Sequence, residues 1–103
     1  MKKEMKIALP KEVVILLERL HYEYNTITDN IAFLIEQYKN DESFLDSPLF
    51  NKYQDRQVAK RIEYETAKQE MQDTYVPEEI RNGIFSWEVD FPRKTLHIYY
   101  EVN

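Results

Sequence analysis

The side chains able to move protons or hold a metal are few in this chain, and they are scattered. There are two histidines, His21 and His97, and no cysteine. Protein metal sites draw on closely spaced His and Cys ligands, and no short-spaced histidine pair exists, so neither a metal nor a cofactor is expected. Pairing residues 84–91 with 96–102 about a turn at 92–95 sets His97 opposite Asp90 and Glu88 opposite Tyr99. An imidazole beside a carboxylate is the smallest acid–base dyad. No nucleophile or oxyanion donor accompanies it, so an ordinary cross-strand pair is the expectation. His21 follows Leu20 at the margin of an apolar row and reads as a boundary residue.

One glycine in the whole chain leaves no phosphate-cradling loop, and neither a Walker pattern nor a Ser elbow is present. Glu63, Glu65 and Glu70 lie among Lys60, Arg61 and Lys68, the mixed charge of a solvated helix face. The expectation is a protein that is not an enzyme and has no small-molecule substrate. Lys52, Arg56 and Lys60, four residues apart, stack on one helical face as a basic stripe. It can meet an acidic partner, a phosphate, the acidic residues of a second copy, or water alone. Arg93 and Lys94 form a second small basic spot. Fourteen basic against nineteen acidic residues give a net charge of −5, which repels a phosphate backbone and disfavours nucleic acid as a partner.

The elements that would carry these residues are long. Val13, Leu17, Leu20, Tyr24, Ile27, Ile31, Leu34 and Tyr38 recur in alternating steps of four and three, a heptad seam that Val14, Leu16 and Ile35 widen. Pro10 suits the first turn and Glu12 its positive dipole end. The seam predicts one helix over 11–39, roughly 43 Å long at 1.5 Å per residue. Residues 40–46 form a polar connector in which Phe44 and Leu45 cap the end of the helix pair. Ser47-Pro48 then reads as N-cap and first helical residue. A second helix over 48–75 has a thinner apolar row of Leu49, Phe50, Tyr53, Val58, Ile62, Tyr64, Ala67, Met71 and Tyr75, and Pro77 stops it. After a turn at 77–83, period-two alternation predicts a β-hairpin, with Phe91 paired to Leu96, Val89 to Ile98, Trp87 to Tyr100 and Phe85 to Val102. Trp87→Ala is the expected worst core change.

The fold class is therefore α+β: an antiparallel helical hairpin (11–39 and 48–75) followed by a two-stranded antiparallel β-hairpin (84–91 and 96–102). At 103 residues a single domain is expected, with 1–10 as an extended N-terminal segment. No apolar run approaches the ~20 residues of a membrane helix and no signal-peptide core precedes Pro10, so a cytoplasmic, membrane-free protein is expected.

Glu4-Met5-Lys6-Ile7-Ala8-Leu9 also alternates, with Met5, Ile7 and Leu9 facing one way, ahead of Pro10-Lys11-Glu12-Val13. Over residues 4–38 this resembles the ribbon-helix-helix family of DNA-binding repressors. The resemblance implies strand pairing between two chains, a turn near 24–28 separating two helices, and Glu4, Lys6 and Ala8 in the DNA major groove. It supplies the alternative function, a transcriptional regulator; a small enzyme with an unrecognised site is the second alternative.

The seam of the first helix is too broad for a two-helix hairpin to hide, and eight Tyr, five Phe and one Trp add surface suited to association. The expected function is a structural or adaptor subunit, binding a protein partner or a second copy, within a larger assembly such as a virion or multiprotein complex. The expected partner-binding residues are Val14, Leu16, Tyr24, Ile27, Ile31, Ile35 and Tyr38 on the first helix, Lys52, Arg56 and Lys60 on the second, and Tyr99 on the sheet.

Overall fold

The first helix starts where proline permits it. In the computed structural model, which describes residues 1–102, the Pro10 carbonyl accepts the N–H groups of Val13 and Val14 at 3.1 and 3.2 Å. Helix α1 (Lys11–Gln37) then runs without a break through Thr26 and Thr28. A short turn of helix, α2 (Glu42–Leu45), is capped by the Asp41 carboxylate, which accepts the Ser43 hydroxyl at 2.7 Å and the Phe44 N–H at 3.1 Å. Those two bonds, the Ser43 hydroxyl first, hold the Asp41 carboxyl below its ordinary pKa. Helix α3 (Pro48–Tyr75) begins with its Ser47 cap, whose Oγ accepts the Phe50 N–H at 3.2 Å, as the Ser-Pro pair predicts. Pro77 ends that helical stretch and opens α4 (Glu78–Arg81).

The sheet has three strands where the sequence predicts two. Strand β1 (Lys2–Ala8) joins β2 (Phe85–Asp90) and β3 (Thr95–Glu101) in the antiparallel order β1-β3-β2. The addition has a physical motive, because an isolated hairpin is marginal in water and a third strand with an apolar face is needed for stability. Met5 and Ile7 are half-buried and Leu9 is buried while Glu4, Lys6 and Ala8 are exposed, so the alternation read in the N-terminal segment is the alternation of a real strand. β3 is central, and its Leu96 and Ile98 are 0 % exposed.

The hairpin register differs from the expected one by two residues. Trp87 faces Ile98, Val89 faces Leu96 and Phe85 faces Tyr100. The turn occupies 91–94 rather than 92–95. Asp90 Oδ1 accepts the Arg93 N–H at 3.1 Å, and Lys94 takes a left-handed φ of 53°. A slip of two keeps every side chain on its face, so the hydrophobic pattern cannot choose between these registers; the Asp90 turn does. His97 accordingly faces Glu88 and Lys6, not Asp90, and Tyr99 faces Ser86 and Glu4.

The backbone features of a ribbon-helix-helix chain are not formed. Asn25–Thr28 is continuous helix within α1, and β1 pairs with β3 of its own chain.

The chain groups into two compact units. The first comprises Met1–Glu18 and Ala67–Asn103, the second Arg19–Thr66. In the first, Leu9, Val14, Leu17, Met71, Val76, Ile80, Leu96 and Ile98 are buried. The Trp87 indole N–H donates to Gln72 Oε1 at 3.0 Å, tying β2 to α3. In the second, α1 and α3 pack antiparallel around buried Leu20, Ile31 and Phe50. Phe44 stacks on Tyr38 with centroids 3.9 Å apart and lies 5.8 Å from Phe50, closing the helix pair as the connector predicts. No helix among the described residues is long and apolar enough to cross a membrane.

Trp87 is half-buried and Ile98 is fully buried. Ile98→Ala is expected to cost about 2–5 kcal/mol in urea unfolding. Trp87→Phe, which removes the N–H donated to Gln72, is expected to cost about 1 kcal/mol. A larger loss at Trp87→Phe than at Ile98→Ala would contradict this ordering.

Candidate functional site

On the outward face of the sheet, alternation gathers the polar side chains of three strands. Tyr99 donates its hydroxyl to Glu88 Oε1 at 2.7 Å, reaching diagonally across the β2·β3 ladder. His97 Nδ1 lies 3.5 Å from Glu4 Oε1. A phenol bound to a carboxylate loses more by ionising than a free one, and the Glu88 hydrogen bond pushes the Tyr99 pKa up to about 12. This pair is not poised for proton transfer near neutral pH, where a catalytic group needs a pKa near its working range. A shallow cleft of about 430 Å3 adjoins it, lined by Lys2, Lys3, Glu4, Ile84, Phe85, Ser86, Tyr99, Tyr100 and Glu101.

In the second unit the geometry is decided by a seam that is not wholly apolar. The inward row of α3 is Phe50, Tyr53, Gln57, Lys60 and Tyr64, each buried or half-buried. Gln57 and Lys60 are the strongly polar members, and each finds a partner on α1. Gln57 Nε2 donates to Thr28 Oγ1 at 3.1 Å. Lys60 pairs with Glu23 and, at 3.2 Å, with Glu63. His21 Nδ1 lies 3.2 Å from Tyr64 Oη while Asn25 Nδ2 lies 3.1 Å from His21 Nε2. With the Asn25 amide donating to Nε2, the ring carries its proton on Nδ1 and gives it to the tyrosine oxygen. The Lys60 hydrogen bond lowers the Glu23 pKa against an opposing effect of burial, and the same bond raises that of Lys60. The pair therefore stabilises the fold above the ordinary carboxylate range and below the ordinary lysine range. Its contribution is lost as pH falls through the lowered Glu23 pKa, or rises through the raised Lys60 pKa.

This seam redistributes the residues expected to bind a partner. Val14 (2 % exposed) and Ile31 (7 %) are core, withdrawn from any surface because the folded chain hides more of α1 than a bare hairpin would. Tyr24 and Ile27 are half-buried. Leu16, Ile35, Tyr38 and Tyr99 are exposed, Tyr99 with its hydroxyl already engaged. Leu16 borders a groove of about 180 Å3 that Val13, Leu17, Ala67 and Met71 help to line. Lys52 and Arg56 stand in solvent, but Lys60 turns inward to Glu23, so the basic stripe is shorter by one residue than its spacing suggests.

The largest exposed apolar side chains of this unit escaped the sequence reading. Tyr22 and Phe33, on α1 opposite the seam, are 64 % and 65 % exposed. Leu49, Val58 and Ile62, expected on the inward row of α3, point outward, with Ile62 58 % exposed. The signal was present: the steps 50, 53, 57, 60, 64 alternate three and four without a break, once Gln57 and Lys60 are admitted to the row. No family model, curated protein or solved structure matches the chain. The surface has to be read from its own chemistry.

Glu88→Gln removes the carboxylate that holds Tyr99 neutral. Its phenol is expected to titrate below about 12, shifted toward the ordinary tyrosine value, followed by NMR of the ring carbon bearing the hydroxyl. The raised pKa means the bond's contribution to stability is complete below the unfolded value and is lost as pH rises through about 12. An unchanged Tyr99 titration in Glu88→Gln would remove the hydrogen bond as its cause.

Proposed function

We propose that this chain is a non-enzymatic structural or adaptor subunit that works through protein–protein association inside the cell, in the cytoplasm or an assembly formed there. One observation carries the reading. The second unit closes its own core, with Leu20, Ile31 and Phe50 buried and the polar seam residues Gln57 and Lys60 paired. Yet Tyr22, Phe33, Val58 and Ile62 remain in water. Scattered exposed apolar residues are ordinary, but Val58 and Ile62 lie one turn apart on α3, and grouped apolar side chains on a rigid helix are a common mark of an association surface. The tyrosine and phenylalanine side chains offer much area for little lost rotamer freedom. On the sheet face the phenol and the imidazole are both paired with carboxylates.

Light scattering of the full chain is expected to give a mass that rises with concentration above the 12.6 kDa of one copy. Val58→Asp with Ile62→Asp is expected to lower that mass while leaving the helical circular dichroism and the melting temperature nearly unchanged, because both residues lie outside the core. A mass fixed at that of one copy at every concentration would sink self-association.

A further inference from the structure

We infer that a second copy of this chain docks on the outward flank of α3, the two α3 helices lying antiparallel about Ala59. The inference rests on the association reading and names its partner. Residues seven apart return to within about 20° of one another on a helix. Lys52, Ala59 and Thr66 therefore share one line along α3, and Arg56 and Glu63 share the line beside it. Along this flank Lys52 and Arg56 come before Ala59 and Glu63 after it; Asp55, on the side of Ile62, is the one acidic residue of the first half, so the net charge still changes sign at the middle. A helix with that pattern is complementary to its own reverse. Turned end for end about a two-fold axis near residue 59, it sets Arg56 of each copy against Glu63 of the other, and each such contact occurs twice. The parallel arrangement would place Arg on Arg and Glu on Glu, so charge alone selects the orientation.

The groups are free to act this way. Lys52 and Arg56 are exposed and make no ion pair among the described residues. Glu63 meets Lys60 through Oε2 alone, with about half of its side chain in solvent (49 %). Ala59 is exposed and small, so two backbones can approach there. Ile62, one turn on, supplies apolar area at the same height. The outward flank of α1 in this unit lacks such antisymmetry: Arg19 is bound to Glu23 and Glu36 to Lys39, and Asp29 is exposed between them.

Sedimentation velocity on Arg56→Glu, Glu63→Arg, and an equal mixture of the two tests this. Wild type is expected to dimerise, more weakly as salt rises. Each variant alone places like charges across both contacts and is expected to dimerise about tenfold more weakly or worse. Mixed, a chain acidic at both positions meets a chain basic at both, and association is expected to return as a heterodimer. Both positions are solvent-exposed, and circular dichroism of each variant checks that the fold is kept. A wild-type dimer that persists equally in both variants, or variants that fail to recover on mixing, would overturn the α3 pairing while leaving association through another face standing. A wild-type chain that stays monomeric would overturn both.

Discussion

Inside the second unit, two polar side chains stand where apolar ones would ordinarily sit, and that constraint sets most of what the surface presents. Gln57 and Lys60 occupy the inward row of α3 because Thr28 and Glu23 on α1 are there to meet them. An inward lysine is costly without a partner, so α3 cannot rotate or slip relative to α1 without losing both pairs. Rotation is fixed, and with it the fate of the remaining residues. Val58 and Ile62, adjacent to this row and more apolar than its members, are carried outward. Replacing these half-exposed polar pairs by apolar residues would extend the apolar seam. It would also remove the reason for a single register, a specificity that polar interior positions confer on paired helices.

Much of the architecture was legible in the chain. The Ser47-Pro48 pair announces the start of α3 through the orphan N–H groups of a first turn, and Pro77 announces its stop. The unbroken seam from Val13 onward announces α1 even across Thr26 and Thr28, because the cost of a β-branched residue in a helix is a fraction of a kcal/mol and packing of the stripe exceeds it. Alternation at 85–91 and 96–102 announces strands. What alternation cannot distinguish is a slip of two, which leaves every side chain on its face. The observed pairing goes with a turn at 91–94 held by the Arg93 N–H on Asp90 and the Lys94 N–H on the Phe91 carbonyl, which no apolar pattern encodes. The third strand was legible as a strand at Glu4–Leu9 but not as a neighbour of β3, since nothing in a local pattern says which distant edge it will join.

The candidate surface was less legible for a related reason. Reading helices by apolar spacing alone assumes that greasy residues define the inside. In α3 the inside was defined by partners across the interface, and so Leu49, Val58 and Ile62 were assigned inward when they lie in water. The same assumption placed Val14 and Ile31 on a docking ridge when both lie in the core. Burial in this protein follows the heptad phase, and phase is set by the pairing of two helices rather than by either one.

The bond between Tyr99 and Glu88 has a further consequence, in the language of reagents rather than of folding. Electrophiles that modify tyrosine, such as iodinating reagents, attack the phenolate. Among the eight tyrosines, Tyr22 offers an open ring with most of its area in water. Tyr99 is accessible too, but its oxygen is kept protonated far into alkali. Accessibility and reactivity therefore part company on this molecule: a label that counts exposed phenols would mark both sites, and one that counts ionised phenols would pass over Tyr99.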